Sequence, residues 1–408
     1  MLCLHQRVFA VSLTRRLLAA VAFVPLAGCS IAAVDYGKIR HADYVADPRC
    51  NAQPGAVVDG GALPHFFATS RLPDCRTSEI ELLHHRSDSV RYGRFNAPRE
   101  VVVGKKKRFL PPLAFQAAPD WWRALQAETD RRQGRVLLYV HGYRENFSTT
   151  SKDAAQIARM TGFDGPIIEY SWPSQGKLLS YVVDETNMYH DVRNFRDFLK
   201  ALAEQRWVKE IVIVSHSLGA RLVIPAVAYV DRASSDADSS NISNIILASP
   251  DIDRETFERD IEEEVLSARR VAKDRRITIY TSRADKALAA SRAIHGYPRL
   301  GSPYCFNPFE AADLKAKGFP ERCYPAPRAG LTVIDTTDVS RGSTGHSNFL
   351  LSAPACRDFI DVVAGKQIRP ERVATPWAHV FRLQPDPALT KEEHEAICHR
   401  TAEADDDR

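Results

Sequence analysis

The chain carries little net charge and few clusters of like charge. Its formal charge is +4 over 408 residues, and without the three arginines of the N-terminal segment (Arg7, Arg15 and Arg16) it falls to +1. One dense basic run, Lys-Lys-Lys-Arg at residues 105–108, follows a valine-rich stretch. We predict a solvated loop there, with contact to anionic lipid headgroups as the weaker alternative. The charge pattern therefore gives no reason to expect a nucleic-acid partner.

A long hydrophobic run is also missing. The apolar stretch at residues 17–26 is too short to cross a bilayer as an ordinary transmembrane helix. It ends in Leu-Ala-Gly-Cys, which resembles the lipobox of bacterial lipoproteins. That resemblance implies a signal peptide at residues 1–28, lipidation of Cys29 as a membrane anchor, and, because Ser30 follows, a place in the cell envelope at the outer membrane, facing the periplasm. The alternative is a secretory signal with a chance cysteine.

The cysteines lack the spacing of a zinc site, because no Cys-x-x-Cys or His-x-x-x-His pair stands near them. We therefore predict no metal. Setting aside Cys3 in the leader and Cys29 leaves six of the eight cysteines, which can pair in 15 ways. Pairing by proximity in sequence gives Cys50–Cys75, Cys305–Cys323 and Cys356–Cys398. An oxidising compartment such as the periplasm would permit all three.

The order of predicted elements indicates one large α/β domain. Residues 29–64 contain prolines and glycines and predict a tether. The N-terminal part of the domain, residues 65–135, predicts antiparallel strands, a turn at Tyr92-Gly93 and one amphipathic helix. Strands then alternate with helices up to a last strand at residues 331–334 and a closing helix that ends near residue 365. This alternation predicts a mostly parallel central sheet with helices on both faces, and residues 366–408 are predicted to be a C-terminal tail.

The strongest motif is Val-Ser-His-Ser-Leu-Gly at residues 214–219. A β-branched apolar run precedes it and a helix-like stretch follows it, as in the nucleophile turn of α/β-hydrolases. Ser217 is therefore the predicted nucleophile, although Ser215 replaces the usual first glycine. The alternative is an ordinary strand-to-helix turn in which Ser217 is a helix cap. His216 is expected to pack structurally rather than to act on its neighbour.

A serine nucleophile needs an acid and a base, which follow it in the order Ser, Asp, His in this fold. Asp285 comes directly after a predicted strand and is the favoured acid. Asp251 and Asp253 follow the preceding strand and are the alternatives. His346 lies on a glycine-rich loop after the last predicted strand and is the favoured base, with His295 as its competitor.

Two further segments are assigned from their position. The oxyanion hole should combine the backbone N–H of Leu218 with that of Tyr143, which follows the strand at residues 136–140. Gly142 would let that backbone approach the substrate, and His141 is expected to shape the loop. Trp172 follows another strand at the same edge and is predicted to line the acyl pocket. Residues 286–330 form a long insertion, a possible lid or a surface excursion.

The motifs of this chain resemble those of a bacterial α/β-hydrolase family known as domain of unknown function 900, which is esterase- or lipase-like. The resemblance spans roughly residues 66–364. It rests on His-Gly-Tyr at 141–143, Ser-Trp-Pro-Ser at 171–174, His-Ser-Leu-Gly at 216–219, Ala-Ser-Pro-Asp-Ile-Asp at 248–253, Asp-Lys-Ala-Leu at 285–288, Gly-His at 345–346, and the upstream Phe-Ala-Thr-Ser-Arg and Arg-Tyr-Gly-Arg. It implies Ser217, Asp285 and His346 as the catalytic triad and supplies no substrate.

The sequence thus predicts a serine hydrolase that cleaves an acyl ester of a small molecule or lipid through an acyl-enzyme. No cofactor is expected, since the triad supplies the nucleophile and base. An acyltransferase on the same triad is one alternative. The other is a non-catalytic envelope-binding lipoprotein.

Overall fold

The computed structural model describes residues 41–51, 65–103, 106–177, 179–233, 240–266, 275–304, 323–366 and 371–399. The predicted leader, Cys29 and the end of the predicted tether at residues 52–64 lie outside these ranges. So do Cys305 and most of the second half of the predicted insertion. Within the described part of the chain, no helix combines the length and hydropathy needed to cross a membrane.

Eleven strands of the described chain form one sheet, in the order β12-β13-β11-β10-β9-β8-β6-β7-β1-β2-β5. Strands β3 and β4 pair separately as a hairpin. The strands are β1 (His65–Asp74), β2 (Glu81–Phe95), β3 (Arg99–Val103), β4 (Lys106–Leu110), β5 (Leu113–Gln116), β6 (Arg135–Val140), β7 (Ile167–Ser171), β8 (Glu210–His216), β9 (Ile242–Ala248), β10 (Arg276–Thr281), β11 (Leu331–Asp335), β12 (Arg372–Ala374) and β13 (Val380–Leu383).

Helices follow most of the parallel strands. They are α1 (His41–Val45), α2 (Ala118–Asp130), α3 (Phe147–Thr161), α4 (Tyr181–Ala203), α5 (Ala220–Ala233), α6 (Lys286–His295), α7 (Asn348–Leu351), α8 (Ala353–Val363) and α9 (Lys391–His399). Between β9 and β10 the chain adds short turns of helix at Arg254–Thr256, Phe257–Ile261 and Glu262–Leu266. The central strands pair in parallel, from β1 through β7, β6, β8, β9, β10 and β11 to β13.

Side chains of the central strands alternate between two cores. In β8, Ile211 and Ile213 belong to the core that contains α4 and α5. Val212 and Val214 belong to the core that contains α3 and α8. Because successive side chains of a strand point to opposite faces, the sheet is covered on both sides. The predicted α/β-hydrolase class, a mostly parallel sheet between two layers of helices, is confirmed.

The turn predicted at Tyr92-Gly93 is wrong, because both residues lie within β2. A Cβ on Gly93 would stand 2.2 Å from the carbonyl oxygen of Ala114 and 2.5 Å from the ring of Phe67. The Gly93 carbonyl also accepts a hydrogen bond of 3.0 Å from the indole N–H of Trp121. Gly93 is therefore present because neighbouring strands and rings approach it closely.

The basic run and the C-terminal region also differ from the prediction. Lys106, Lys107 and Arg108 pair with β3 as a strand, so the solvated loop expected there is wrong for these three residues. The strand at 331–334 is not the last, because β13 from the predicted tail pairs in parallel with β11 and β12 follows at the edge. The short, turn-flanked runs of the tail carry a weak strand signal on their own.

Disulfide bonds attach both ends of the described chain to the domain. Cys50–Cys75 and Cys356–Cys398 form as the sequence predicts. Cys323 is also disulfide-bonded, and its partner lies outside the described residues, as Cys305 does. The Cys356–Cys398 bond fixes α9 to α8, so much of the predicted tail is part of the folded domain.

Candidate active site

Ser217 lies where β8 ends and a single 3-10 turn, Ser217–Gly219, leads into α5. Its φ is +52°, a left-handed conformation that a non-glycine residue adopts only when its surroundings impose it. One constraint is the N–H of Asp251, which donates a 3.0 Å hydrogen bond to the Ser217 carbonyl. Another is Gly219, where a Cβ would lie 2.6 Å from the carbonyl oxygen of His141. The sharp strand–turn–helix geometry expected of a nucleophile turn is present.

Asp285 and His346 form a close pair. Asp285 follows β10 and caps α6, since its Oδ1 accepts the N–H of Leu288 at 2.9 Å. Its Oδ2 lies 2.6 Å from Nδ1 of His346. One carboxylate therefore has two tasks, and the helix cap fixes the oxygen that orients the imidazole. Both residues are where the sequence predicts an acid and a base.

Charge around His346 favours its protonated form. Burial alone would lower its pKa, but the carboxylates of Asp285, Asp251 and Glu145 together outweigh burial, so that the pKa is raised above its ordinary value. Glu145 was not predicted as a site residue, because in the sequence it is one charged loop residue among many. Burial raises the pKa of Glu145 itself to about 6.

The loop that carries His346 is tight. Gly345 has a φ of +64°, and a Cβ there would stand 2.4 Å from Ser340 Oγ and 3.0 Å from the Ala284 carbonyl oxygen. The N–H of Lys286 donates to the Thr344 carbonyl at 2.9 Å. The glycine expected to give mobility instead allows the loop to lie against the start of α6.

His216 packs against His346. The two imidazole rings are 4.7 Å apart, and the Phe349 ring lies 5.4 Å from His216. Burial, followed by the nearby His346, lowers the pKa of His216 to about 3. The neutral His216 ring is thus a packing residue, as the sequence predicts. Its contact with the His346 ring holds the Ser217 turn beside the loop that carries His346.

One ring nitrogen of His346, the predicted base, is not used in any hydrogen bond among the described residues. His346 Nε2 is buried and has no hydrogen-bond partner among the described residues. No hydrogen bond joins it to the Ser217 hydroxyl in this structure. Catalytic hydrogen bonds are often long or absent before substrate binds, so the arrangement fits a resting site.

The predicted oxyanion loop lies against the elbow. A Cβ on Gly142 would stand 2.6 Å from the Cβ of Ser217, so only glycine allows this approach. Tyr143 follows directly, and its ring lies 5.2 Å from that of Tyr181. Leu218, the other predicted donor, is buried in the turn itself. The two segments meet at Ser217, and the role of their N–H groups stays a prediction.

Arg71 lies beneath this loop and was not singled out from the sequence. It is fully buried at the end of β1. Its guanidinium donates 2.9 Å hydrogen bonds to Ser171 Oγ and to the carbonyls of Ser174 and Glu145. Burial lowers its pKa to about 10, which leaves it a cation at neutral pH. The sequence signal that could have identified Arg71 was a charged residue within an apolar strand, because a buried charge needs hydrogen-bond partners.

His141 and Trp172 form a stacked pair behind the loop. Their rings are 4.9 Å apart, and the Trp172 indole N–H donates to the His141 carbonyl at 2.9 Å. His141 is buried and shapes the loop as predicted. Trp172 has no exposed surface, so its predicted role of lining the acyl pocket is corrected: in this structure it supports the loop and does not face a substrate.

The competing acids and base have other partners. Asp253 caps the next helical turn, accepting the Thr256 N–H at 2.7 Å. Asp251 accepts 2.7 Å hydrogen bonds from Arg299 Nε and Ser291 Oγ. Although burial favours the neutral acid, Arg299 and Arg221 hold the pKa of Asp251 below its ordinary value. His295 Nε2 lies 3.0 Å from a Glu185 carboxylate oxygen. These three residues therefore lie around the Ser217 turn, engaged with other partners, and do not form the predicted acid–base pair of Asp285 and His346.

Metal ligation has no support in the described part of the chain, where no three His, Cys, Asp or Glu side chains are grouped to hold an ion. The strained turn at Ser217, the Asp285–His346 pair and the two-layered parallel sheet place the protein in the α/β-hydrolase class.

Comparison with known proteins gives the family. Residues 121–364 match the family described as alpha/beta hydrolase of unknown function (DUF900). The chain belongs to this family, and its fold and the resemblance read from its motifs are confirmed. A search of curated proteins finds no match.

Solved structures give only a distant likeness. A CIB-like hydrolase from Thermoplasma acidophilum is 13% identical, with 67% of this chain and 97% of the other covered and a TM-score of 0.31. An esterase from Pyrobaculum calidifontis is 12% identical, with 57% and 76% covered and a TM-score of 0.30. An acetylxylan esterase is 11% identical, with 57% and 98% covered and a TM-score of 0.32. Likeness at this level carries no argument about substrate.

Proposed function

We propose that this α/β-hydrolase is a serine hydrolase that cleaves acyl esters through an acyl-enzyme. The observation that carries the proposal is the 2.6 Å contact between Asp285 and His346, on a loop that lies against the Ser217 turn. A serine hydroxyl is a weak nucleophile near neutral pH and needs such an oriented base.

The reaction follows from these positions. Ser217 Oγ attacks the ester carbonyl while His346 Nε2 accepts the hydroxyl proton, and Asp285 stabilises the resulting imidazolium. The carbonyl oxygen gains negative charge, which the N–H groups of Leu218 and Tyr143 would stabilise. The C–O bond breaks, and His346 returns the proton to the departing alcohol. Water then attacks the acyl-enzyme with the same base, releasing the carboxylic acid and free Ser217.

The anchor belongs to the same proposal. Acylation of Cys29 would hold the domain on a membrane of the bacterial envelope, with periplasmic exposure. Support comes from the Leu-Ala-Gly-Cys sequence and from the disulfide bonds of the described domain, which oxidising compartments allow. Palmitate labelling of the wild type and of Cys29→Ala tests it. Equal labelling of the two would contradict it.

Turnover of a series of p-nitrophenyl esters, from acetate to palmitate, tests the catalytic proposal. Wild type should release nitrophenol from at least part of the series, and Ser217→Ala should fall to background. Ser243→Ala is the matched control, because this serine lies near the amino end of β9, at the edge of the parallel sheet opposite the Ser217 turn. Activity that survives in Ser217→Ala, or none in wild type with any chain length, would contradict the proposal.

A further inference from the structure

Two helix ends beside the site expose large apolar side chains. At the start of α4, Leu179 is 94% and Val182 is 63% exposed. At the end of α6 and just after it, Ile294 and Tyr297 are each 57% exposed. We call these four residues the apolar face. Exposed groups of large apolar side chains on a soluble domain mark interaction surfaces.

The two helix ends are fixed to one another. The Tyr181 hydroxyl lies 3.1 Å from Ser291 Oγ, and the Tyr181 and His295 rings are 5.7 Å apart. His295 Nε2 also lies 3.0 Å from Glu185. Each residue of the apolar face lies one or two positions in sequence from Tyr181 or His295. The four exposed side chains therefore lie close in sequence to the residues of one interhelical contact.

This contact borders the elbow. The Tyr181 hydroxyl donates to Asp251 Oδ2 at 2.5 Å, and the Asp251 N–H donates to the carbonyl of Ser217 at 3.0 Å. The Tyr181 ring also packs on Tyr143 of the predicted oxyanion loop. Tyr181 and Asp251 thus connect the apolar face to Ser217, at the carboxyl edge of the sheet.

The N-terminal segment joins the domain at the same edge. Strand β1 runs parallel to β7, pairs with its last residue through Thr69, and continues past it to Asp74. Cys75 follows and is disulfide-bonded to Cys50, and its N–H donates a 3.1 Å hydrogen bond to the Tyr44 carbonyl of α1. Helix α1 therefore lies beyond the carboxyl end of β7, at the edge of the sheet where Ser217 lies.

The distance from the proposed anchor is short. About a dozen residues separate Cys29 from the start of α1, and a fully extended chain of that length spans at most about 40 Å. An acyl chain at Cys29 would keep the carboxyl edge of the sheet near the bilayer. The apolar face lies at the same edge of the sheet as α1, within the reach of that tether, and is an exposed apolar surface available there.

We propose that the apolar face docks on a phospholipid bilayer and turns the edge of the sheet that carries Ser217 toward ester bonds of membrane lipids. The choice of a lipid ester as substrate rests on the proposed hydrolase function, and the short tether rests on the proposed anchor. Insertion of aromatic and aliphatic side chains at the acyl boundary supplies the binding energy. Arg292, whose guanidinium lies 4.3 Å from the Tyr304 ring centre, provides a cation beside the face for anionic headgroups.

Fluorescence quenching tests the docking directly. The purified chain is mixed with vesicles of phosphatidylethanolamine and phosphatidylglycerol whose acyl chains carry bromine. A Tyr297→Trp variant should gain fluorescence that these vesicles quench. A Val373→Trp variant, at the far edge of the sheet in β12, should gain fluorescence that they leave unchanged. Equal quenching of the two, or none in Tyr297→Trp, overturns the proposal.

A second measurement separates docking from catalysis. A chain with serine at all four positions of the apolar face should hydrolyse phospholipid in vesicles at least about tenfold more slowly than wild type. Its rate on a short soluble ester should not change, and Val373→Ser should match wild type in both assays. Loss of soluble-ester activity, or an unchanged vesicle rate, overturns the proposal.

Two outcomes distinguish the remaining possibilities. If wild type hydrolyses nothing but Tyr297→Trp is still quenched, the hydrolase proposal fails and the docking stands. If sedimentation without vesicles finds a dimer that the four-serine chain does not form, the face is a protein interface and the bilayer proposal is overturned.

Discussion

Replacing Asp285 by asparagine separates its two structural tasks. In the wild type one carboxylate oxygen caps α6 through the Leu288 N–H, and the other accepts the Nδ1–H of His346. An amide keeps an oxygen for the cap, whose full loss costs about 1 kcal/mol. It cannot accept the imidazole N–H while its oxygen serves the helix, so His346 loses its orientation and the stabilisation of its cation.

The magnitudes differ by task. Loss of the orienting carboxylate in a serine triad lowers kcat by about 10⁴, which corresponds to about 5.5 kcal/mol. We expect an effect of that order in Asp285→Asn with a fall in stability of less than about 1 kcal/mol. Asp285→Ala removes the cap as well, and should add about 1 kcal/mol of destabilisation.

The pH profile gives an independent sign. His346 acts as a base only when neutral, so kcat/KM should rise with pH through its folded-state pKa. That pKa is raised, chiefly against burial by Asp285, so the wild-type inflection should lie above the ordinary histidine value of about 6.5. In Asp285→Asn the residual activity should rise at lower pH, because Asp251 and Glu145 alone remain to favour the cation.

Steady-state kinetics on a short p-nitrophenyl ester between pH 5 and 9, with thermal melts of each variant, is the assay. Retention of more than about a tenth of wild-type kcat in Asp285→Asn, where about 10⁴-fold loss is expected, would refute the assigned role. So would an inflection that moves to higher pH. A melting temperature of Asp285→Asn as low as that of Asp285→Ala would show that the asparagine does not cap α6.

Three further predictions follow from contacts. Gly142→Ala should reduce kcat by at least about tenfold at wild-type affinity for the ester, because its Cβ would fall 2.6 Å from that of Ser217; kinetics equal to wild type would contradict the close approach. Arg71→Met should lower the free energy of unfolding by about 2 kcal/mol or more, since it leaves buried acceptors unsatisfied, and urea titration with unchanged stability would oppose this. Replacing Cys356 and Cys398 by alanine should cost about 4 kcal/mol from the loop released, and a melting temperature equal to that of wild type would count against it.

Much of the fold could be predicted because the pattern was strong. The apolar runs of β6 and β8 are buried on both faces, so each reads as a continuous strand, and their alternation with helices predicts the parallel sheet. The turn at Ser217 was predictable for a related reason: residues 214–219 stand between a β-branched apolar run and a helix-like stretch, which is the setting of a nucleophile turn.

The errors arose where tertiary contacts decided the structure. Gly93 resembles a turn residue in sequence, but its missing side chain makes room for Phe67 and Ala114. β13 is only four residues long, and partners distant in sequence, β11 and the Cys356–Cys398 bond, hold it in the sheet. Trp172 was placed at the correct edge, yet its ring turns inward to His141, an orientation that sequence position does not encode.

Polar networks were the hardest part to anticipate. Arg71 and Glu145 carry no motif of their own, and their importance lies in what the folded chain brings to them. Likewise, Asp251 looked like a rival to Asp285 because both follow strands. The structure separates the two by their partners: arginines surround one, and a histidine faces the other.

The central claim is that Ser217 is the nucleophile of a site completed by Asp285 and His346. Peptide mapping by mass spectrometry after treatment with a fluorophosphonate tests this most directly, because the reagent needs an activated serine. We expect a single adduct on the peptide that contains Ser217, formed much more slowly in His346→Ala and absent in Ser217→Ala. An adduct on another serine, or none on the folded wild-type protein, would contradict it.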